Sequence, residues 1–230
     1  MVLSDFIQYL TNGELSQLSI GNVITNENLY PKIISGINLG VSELYKRFPI
    51  KVSRIELHLQ EAINEYWLHS SKATSNMELL DDPLDFYVHD TLEAFTDNII
   101  RIETIYDVDN TALVLNQPGN TESLTTVSHN KLWVPTPTDD TVLYIEYRAS
   151  VPPISLDSDP DTVEVDIPTA FTEALVNYVA YRTFAAINMQ SAEAVNYYAK
   201  FEASCALIFN LGLWNKDIIT NERLENTGWV

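Results

Sequence analysis

Residues 167–182 read Ile167-Pro168-Thr169-Ala170-Phe171-Thr172-Glu173-Ala174-Leu175-Val176-Asn177-Tyr178-Val179-Ala180-Tyr181-Arg182, the opening of a helix that wants cover on two sides. Pro168 sits in the first turn, where its missing N–H removes a donor that would lack an intrahelical partner anyway. Glu173 lies near the positive end of the helix dipole. Phe171, Ala174, Leu175, Tyr178, Val179 and Arg182 share one face, and Tyr181, Phe184 and Ala185 form a second apolar surface. After a break at 188–191, Ser191 is a suitable N-cap for a further helix reaching about Leu211, with Gly212 as its stop. On this helix Val195, Tyr198, Ala199, Glu202 and Ala206 form one face, and Phe201, Cys205 and Ile208 form another. Two apolar faces per helix exceed what a small bundle needs internally, so some are expected to meet neighbouring subunits.

Working back toward the N-terminus, residues 157–166 form an acidic linker with a short strand at Thr162-Val163-Glu164-Val165. Before it, from about residue 51, the hydrophobic period is two. Ile55, Leu57 and Leu59 alternate with Arg54, Glu56, His58 and Gln60, so one face is buried and one is wet. Tyr66-Trp67-Leu68 and the stretches 99–106, 124–134 and 141–148 predict further strands, with Ala112-Leu113-Val114-Leu115 returning after the turn at Asp107-Val108-Asp109-Asn110 as a hairpin. Nearer the start, Leu3, Phe6 and Leu10 share a helical face ended by Asn12-Gly13. A second helix is expected from Thr25-Asn26 to Phe48-Pro49, with Pro31 in its first turn and Ile33, Ile34, Ile37, Val41, Leu44 and Tyr45 inward.

The expected fold class is therefore α+β: a helical bundle built from the N- and C-terminal segments, with an inserted antiparallel β module that is a sandwich or a small barrel. The divisions are 1–49 for the N-terminal helices, 50–152 for the β module, 153–212 for linker and C-terminal helices, and 213–230 for a C-terminal tail. That tail holds Trp214 and Trp229 on a polar segment; it either docks on a partner, as tryptophan at interfaces does, or folds back on its own subunit.

Thirty-two acidic residues against thirteen basic ones give a formal net charge of −19, which argues against a grip on phosphate backbones or anionic lipid. No basic, apolar leader opens the sequence and no apolar run is long enough to span a bilayer, so no membrane association is expected. Cys205 is the single cysteine, which excludes an internal disulfide and fits a reducing cytoplasm.

No catalytic, cofactor or metal site emerges. Asp157, Asp159 and Asp161 open like a calcium loop, but Thr162 and Pro168 stand where glycine and glutamate are required. Asp107 and Asp109 fail the same test. His58, His69, His89 and His129 lack the spacing of a zinc pair, and no nucleophile elbow or phosphate-binding glycine loop occurs. Cys205 lies among apolar helix neighbours, as a buried structural thiol would. Asp81-Asp82, Asp139-Asp140 and Glu222/Glu225 sit in polar, loop-like surroundings and read as solvated charge.

The 167–182 segment, following its short strand and followed by Ala192-Glu193-Ala194-Val195-Asn196-Tyr197-Tyr198-Ala199-Lys200-Phe201, resembles bacteriophage portal adaptor and head-to-tail connector proteins, the tail tubular protein A-like adaptors of short-tailed phages among them. In that family an I/L-P step leads into a helix of the form A-L-x-x-Y-x-x-Y-R. The resemblance implies a structural virion protein at the head–tail junction, assembled in the host cytoplasm. It implies a ring, usually of twelve copies, between the portal and the next tail or nozzle protein, with DNA passing through without specific binding. Carried onto this sequence, Trp214, Ile218, Ile219, Leu224, Trp229 and Val230 become portal-docking residues, and Tyr181, Phe184, Phe201 and Ile208 subunit-interface residues. A net charge of −19 accords with a lumen that does not hold DNA, and equally with simple solubility.

Other readings stay open from sequence. The chain is otherwise a stopper, a tail terminator or a fibre adaptor. From another class it is a carbohydrate- or receptor-binding module using Trp67, Trp133 and Tyr147, or an acidic cell-wall hydrolase with a carboxylate pair in a cleft.

Overall fold

The computed structural model describes residues 1–18, 23–75, 86–90, 94–187 and 192–214. It divides into two compact units, Met1–Ile50 with Pro152–Val230, and Lys51–Val151.

In the first unit, α1 (Leu3–Asn12) buries Leu3, Phe6, Ile7 and Leu10, the face its sequence spacing marks. Helix α2 spans Tyr30–Arg47 and buries Ile33, Ile34, Ile37, Val41, Leu44 and Tyr45. It begins four residues later than Asn26 because the Asn26 side-chain oxygen accepts the N–H groups of Asn28 and Leu29, 3.1 Å each, and turns the chain before the helix can start. A 3₁₀ turn, Thr169–Phe171, then leads from Pro168 into α3 (Thr172–Ile187). Helix α4 spans Ala192–Asn210. Gly212 adopts φ +63°, and its N–H and that of Leu213 donate to the carbonyls of Phe209 and Ile208, closing the helix in the left-handed turn that glycine favours.

Helix α3 runs between α2 and α4. Gly36 and Gly40 let α2 approach it: a Cβ at Gly40 would lie 2.5 Å from Leu175 Cδ1 and 2.9 Å from Tyr178 Cδ1. The acidic linker is strapped to the N-terminus, since Leu3 N–H donates to Val163 O, Ser4 N–H to Pro160 O and Val165 N–H to Met1 O. The expected strand at 162–165 is reduced to a single bridge between Val2 and Glu164. The Tyr45 hydroxyl donates to Asp166 O at 2.9 Å and holds the linker's far end.

The second unit has two antiparallel sheets. One has the order β3-β1-β7-β4, with β1 Val52–His58, β3 Val88–His89, β4 Ile99–Tyr106 and β7 Val142–Ala149. The other has the order β2-β6-β5, with β2 Glu65–Trp67, β5 Thr125–Ser128 and β6 Lys131–Trp133. Ile55, Leu57, Ile105 and Ile145 from the first sheet share one core with Tyr66 and Leu132 from the second. Among the described residues these two sheets over a common core form a layered module. The expected hairpin return at 112–115 does not form a strand. On the outer edge of β4, opposite the edge paired with β7, Ala112 bridges to Tyr106 and Leu113 N–H donates to Ile105 O at 2.8 Å before the chain leaves the sheet.

Candidate assembly surface

Among the described residues, no group of three His, Cys, Asp or Glu side chains could hold a metal ion. His58 stacks on His89 with centroids 3.6 Å apart and rings 15° from parallel, a packing contact across β1 and β3. His69 caps a 3₁₀ turn, its Nδ1 accepting the Ser71 N–H at 3.1 Å. Asp90 accepts bonds from Thr74 Oγ1, Ser75 N–H, Ser75 Oγ and Phe95 N–H. Burial alone would raise its carboxyl; these bonds outweigh burial and hold it below the usual carboxylate range. Each of these groups has a structural task. In the acidic linker the Asp159 carboxylate accepts the Asp161 N–H, a turn-forming bond.

What remains is surface. The seam between α3 and α4 is aromatic: Tyr178 meets Phe201 edge-on at 5.1 Å, Tyr181 meets Tyr198 at 5.1 Å, and Phe184 stacks on Tyr197 at 5.3 Å. Arg47 at the end of α2 lies 4.8 Å from the Phe201 ring and donates from its two terminal nitrogens, Nη1 and Nη2, to Glu202 at 2.9 Å each. That bidentate bond lowers the Glu202 carboxyl and raises the guanidinium. Burial pushes the Cys205 thiol up to about 11, so it is inert at neutral pH. Tyr197 donates its hydroxyl to Glu14 O at 3.1 Å, fastening α4 to the chain after α1.

These contacts correct part of the expected interface set. Phe184, Phe201 and Ile208 are buried inside the unit, at 8%, 0% and 3% exposure, and have no surface to offer a neighbour. Phe201 is covered by Tyr178, Tyr198 and Arg47 from three helices of its own chain. Tyr181 is partly exposed. The outward side of α4 is instead the other face marked in the sequence: Val195, Tyr198, Ala199 and Ala206 are exposed, and Phe209 continues the stripe. Past it Leu207, Leu211 and Leu213 are also exposed, from 49% to 58%. Exposed apolar side chains on two sides of one helix, interrupted by the Glu202–Arg47 pair, mark an interaction site.

Of the expected docking residues, Trp214 is partly buried and stacks on Phe209, centroids 6.4 Å apart and rings 15° from parallel. Ile218, Ile219, Leu224, Trp229 and Val230 lie outside the described residues. In the β module Trp67 and Trp133 are exposed at 41% and 39% on the outer side of the three-stranded sheet, beside the Lys131–Glu65 ion pair. Tyr147 is buried at 4% and belongs to the core, so the three aromatics do not form one carbohydrate platform.

One feature escaped sequence reading. A groove of about 490 Å³ runs along the α2–α3 seam, with Leu18, Leu29, Pro31 and Ile187 in its lining and Lys32 and Arg182 among the residues around it. Neither cation makes an ion pair among the described residues. In a chain of net charge −19, cations without carboxylate partners were the available signal.

No helix among the described residues is long and apolar enough to cross a membrane. Residues 13–212 match the family model described as SU10 adaptor protein. No curated protein matches the chain significantly.

Proposed function

Because the chain belongs to the SU10 adaptor family, whose members are structural components of the phage virion and not enzymes, we propose that its copies form a ring between the portal and the tail. The helical unit packs copy against copy as the wall of the ring, which is dodecameric. The C-terminal segment 213–230 reaches the portal. The β module turns to the next tail component and offers Trp67 and Trp133 as its contact. DNA passes through a lumen whose acidic character keeps phosphates from being retained.

The observation that carries this reading is the exposed apolar band on α4, in a family of phage adaptors. A side chain such as Phe209, exposed at 64% beside Trp214, has apolar surface to bury against a neighbouring copy. The test is the native mass of the purified chain, alone and mixed with its phage's portal. A closed ring on the portal, lost when the chain ends at Gly212, is the expected result. A chain that stays monomeric and indifferent to the portal would overturn the reading and return the stopper, tail-terminator and fibre-adaptor alternatives.

A further inference from the structure

The C-terminal end of α4 is both apolar and electrically negative. Leu207, Phe209, Leu211 and Leu213 are exposed around it. Its last turn has no basic residue, so nothing on the helix itself offsets the negative pole of the dipole. The closing turn occupies the carbonyls of Ile208 and Phe209, and no bond among the described residues occupies those of Asn210 and Leu211.

The groove at the α2–α3 seam has the opposite character. It is apolar within, through Leu18, Leu29, Pro31 and Ile187, and Lys32 and Arg182 sit beside it as cations with no carboxylate partner among the described residues. Its volume, about 490 Å³, admits a few large side chains and not a whole helix.

We infer that the end of α4 of one copy enters the α2–α3 groove of the next copy, with Leu207 and Leu211, neighbours on one side of the helix, as anchors and Lys32 and Arg182 facing the negative pole of the helix. This rests on the ring reading above and names its seam. Helix end and groove are different surfaces of one unit, so the contact is head-to-tail, the kind that propagates around a closed ring. A two-fold contact between α4 ends would bring two negative poles together. The pairing proposed here joins negative to positive and apolar to apolar, leaving neither cation uncompensated.

The experiment uses the full chain in three forms: unaltered, with Leu211→Asp, and with Lys32→Glu and Arg182→Glu together. All these positions lie on the surface features just described, and circular dichroism with thermal melting establishes that the variants fold. Native mass and sedimentation then measure association, alone and with portal. The expected result is that each variant associates roughly tenfold or more weakly than the unaltered chain, as loss of an anchoring side chain does. Mixed in equal amounts, the two variants form discrete pairs, because one supplies an intact groove and the other an intact helix end. Unaltered rings with unimpaired variant rings would overturn the seam and leave the ring reading standing. Variants that weaken association yet never pair when mixed would overturn the head-to-tail arrangement. An unaltered chain that never associates, even on portal, overturns the ring reading itself.

Discussion

The helical unit draws α1 and α2 from one end of the chain and α3 and α4 from the other, with the whole β module between them in sequence. The β module is one uninterrupted run, Lys51–Val151. The two differ in how they dispose of apolar surface. In the β module the core side chains alternate with polar ones, and the exposed Val108, Val114 and Val127 are scattered. In the helical unit, α3 buries residues on nearly every side, Ala174 through Ala180 with one exception at Tyr178, while α4 leaves Val195, Tyr198, Leu207 and Phe209 outside. A strand with one wet face can satisfy its pattern within one sheet. A helix with two apolar faces needs two neighbours; α3 finds both within the chain, and α4 does not.

The sharpest way to break this comparison is Phe201→Ala. The ring is fully buried between helices from both chain ends, and its loss should cost about 3–5 kcal/mol. Hydrogen exchange should accelerate in α2, α3 and α4 and stay unchanged in β1, β4 and β7. Equal acceleration in both units would show that they unfold together.

Gly40→Ala comes next. The added methyl meets Leu175 and the Tyr178 ring below 3.0 Å, and overpacking of this kind costs about 1–3 kcal/mol. Gly36→Ala is its control: the methyl would touch Val179 at 3.4 Å, an ordinary contact, and the gain in helix propensity of up to about 1 kcal/mol leaves the unit as stable or slightly more so. Denaturant midpoints of the two variants should therefore move in opposite directions, or Gly36→Ala not at all.

In the β module, Tyr66→Phe keeps the buried ring and removes a hydroxyl that accepts from Gln60 N–H at 2.8 Å and donates to Gln60 O at 3.0 Å. The expected loss is about 1–3 kcal/mol, read as faster exchange confined to the β module.

The smallest effect is acid sensitivity. Burial, and then the neighbouring His58, hold the His89 imidazole below its ordinary value, against a partial opposing pull from Glu56 and Asp90. The unfolded chain therefore binds this proton more readily than the folded one. The associated stability is complete above about pH 6.5 and is lost as pH falls toward the lowered folded value. Melting of the β module should move to lower temperature between pH 7 and pH 5. His89→Gln should flatten that slope; an unchanged slope would mean that His89 is not its source.

Much of this architecture was legible from residue order. The period of two from Ile55 to Leu59 became β1, and the spacing from Ile33 to Tyr45 became the inner face of α2. Two expectations did not hold as read. Residues 112–115 have the composition of a strand, but only Ala112 and Leu113 bond to the outer edge of β4, and Val114 turns its carbonyl to Leu124 instead. Phe201 and Ile208 look like interface residues beside the stripe from Val195 to Ala206, and the roles are reversed. The groove gave no local pattern, because its lining comes from residues 18–36 and 182–187.

Sequence by itself determined the helices and strands, the acidic balance, the single inert thiol and the presence of two apolar faces on each C-terminal helix. Periodicity is a property of neighbours three or four residues apart, and those neighbours are present in any unfolded stretch. Only the tertiary structure decided which face of α4 is inside and which is left for a partner. That choice depends on what α2 and α3 place opposite it: Tyr178 and Arg47 cover Phe201, while Val195 and Phe209 stay 65% and 64% exposed.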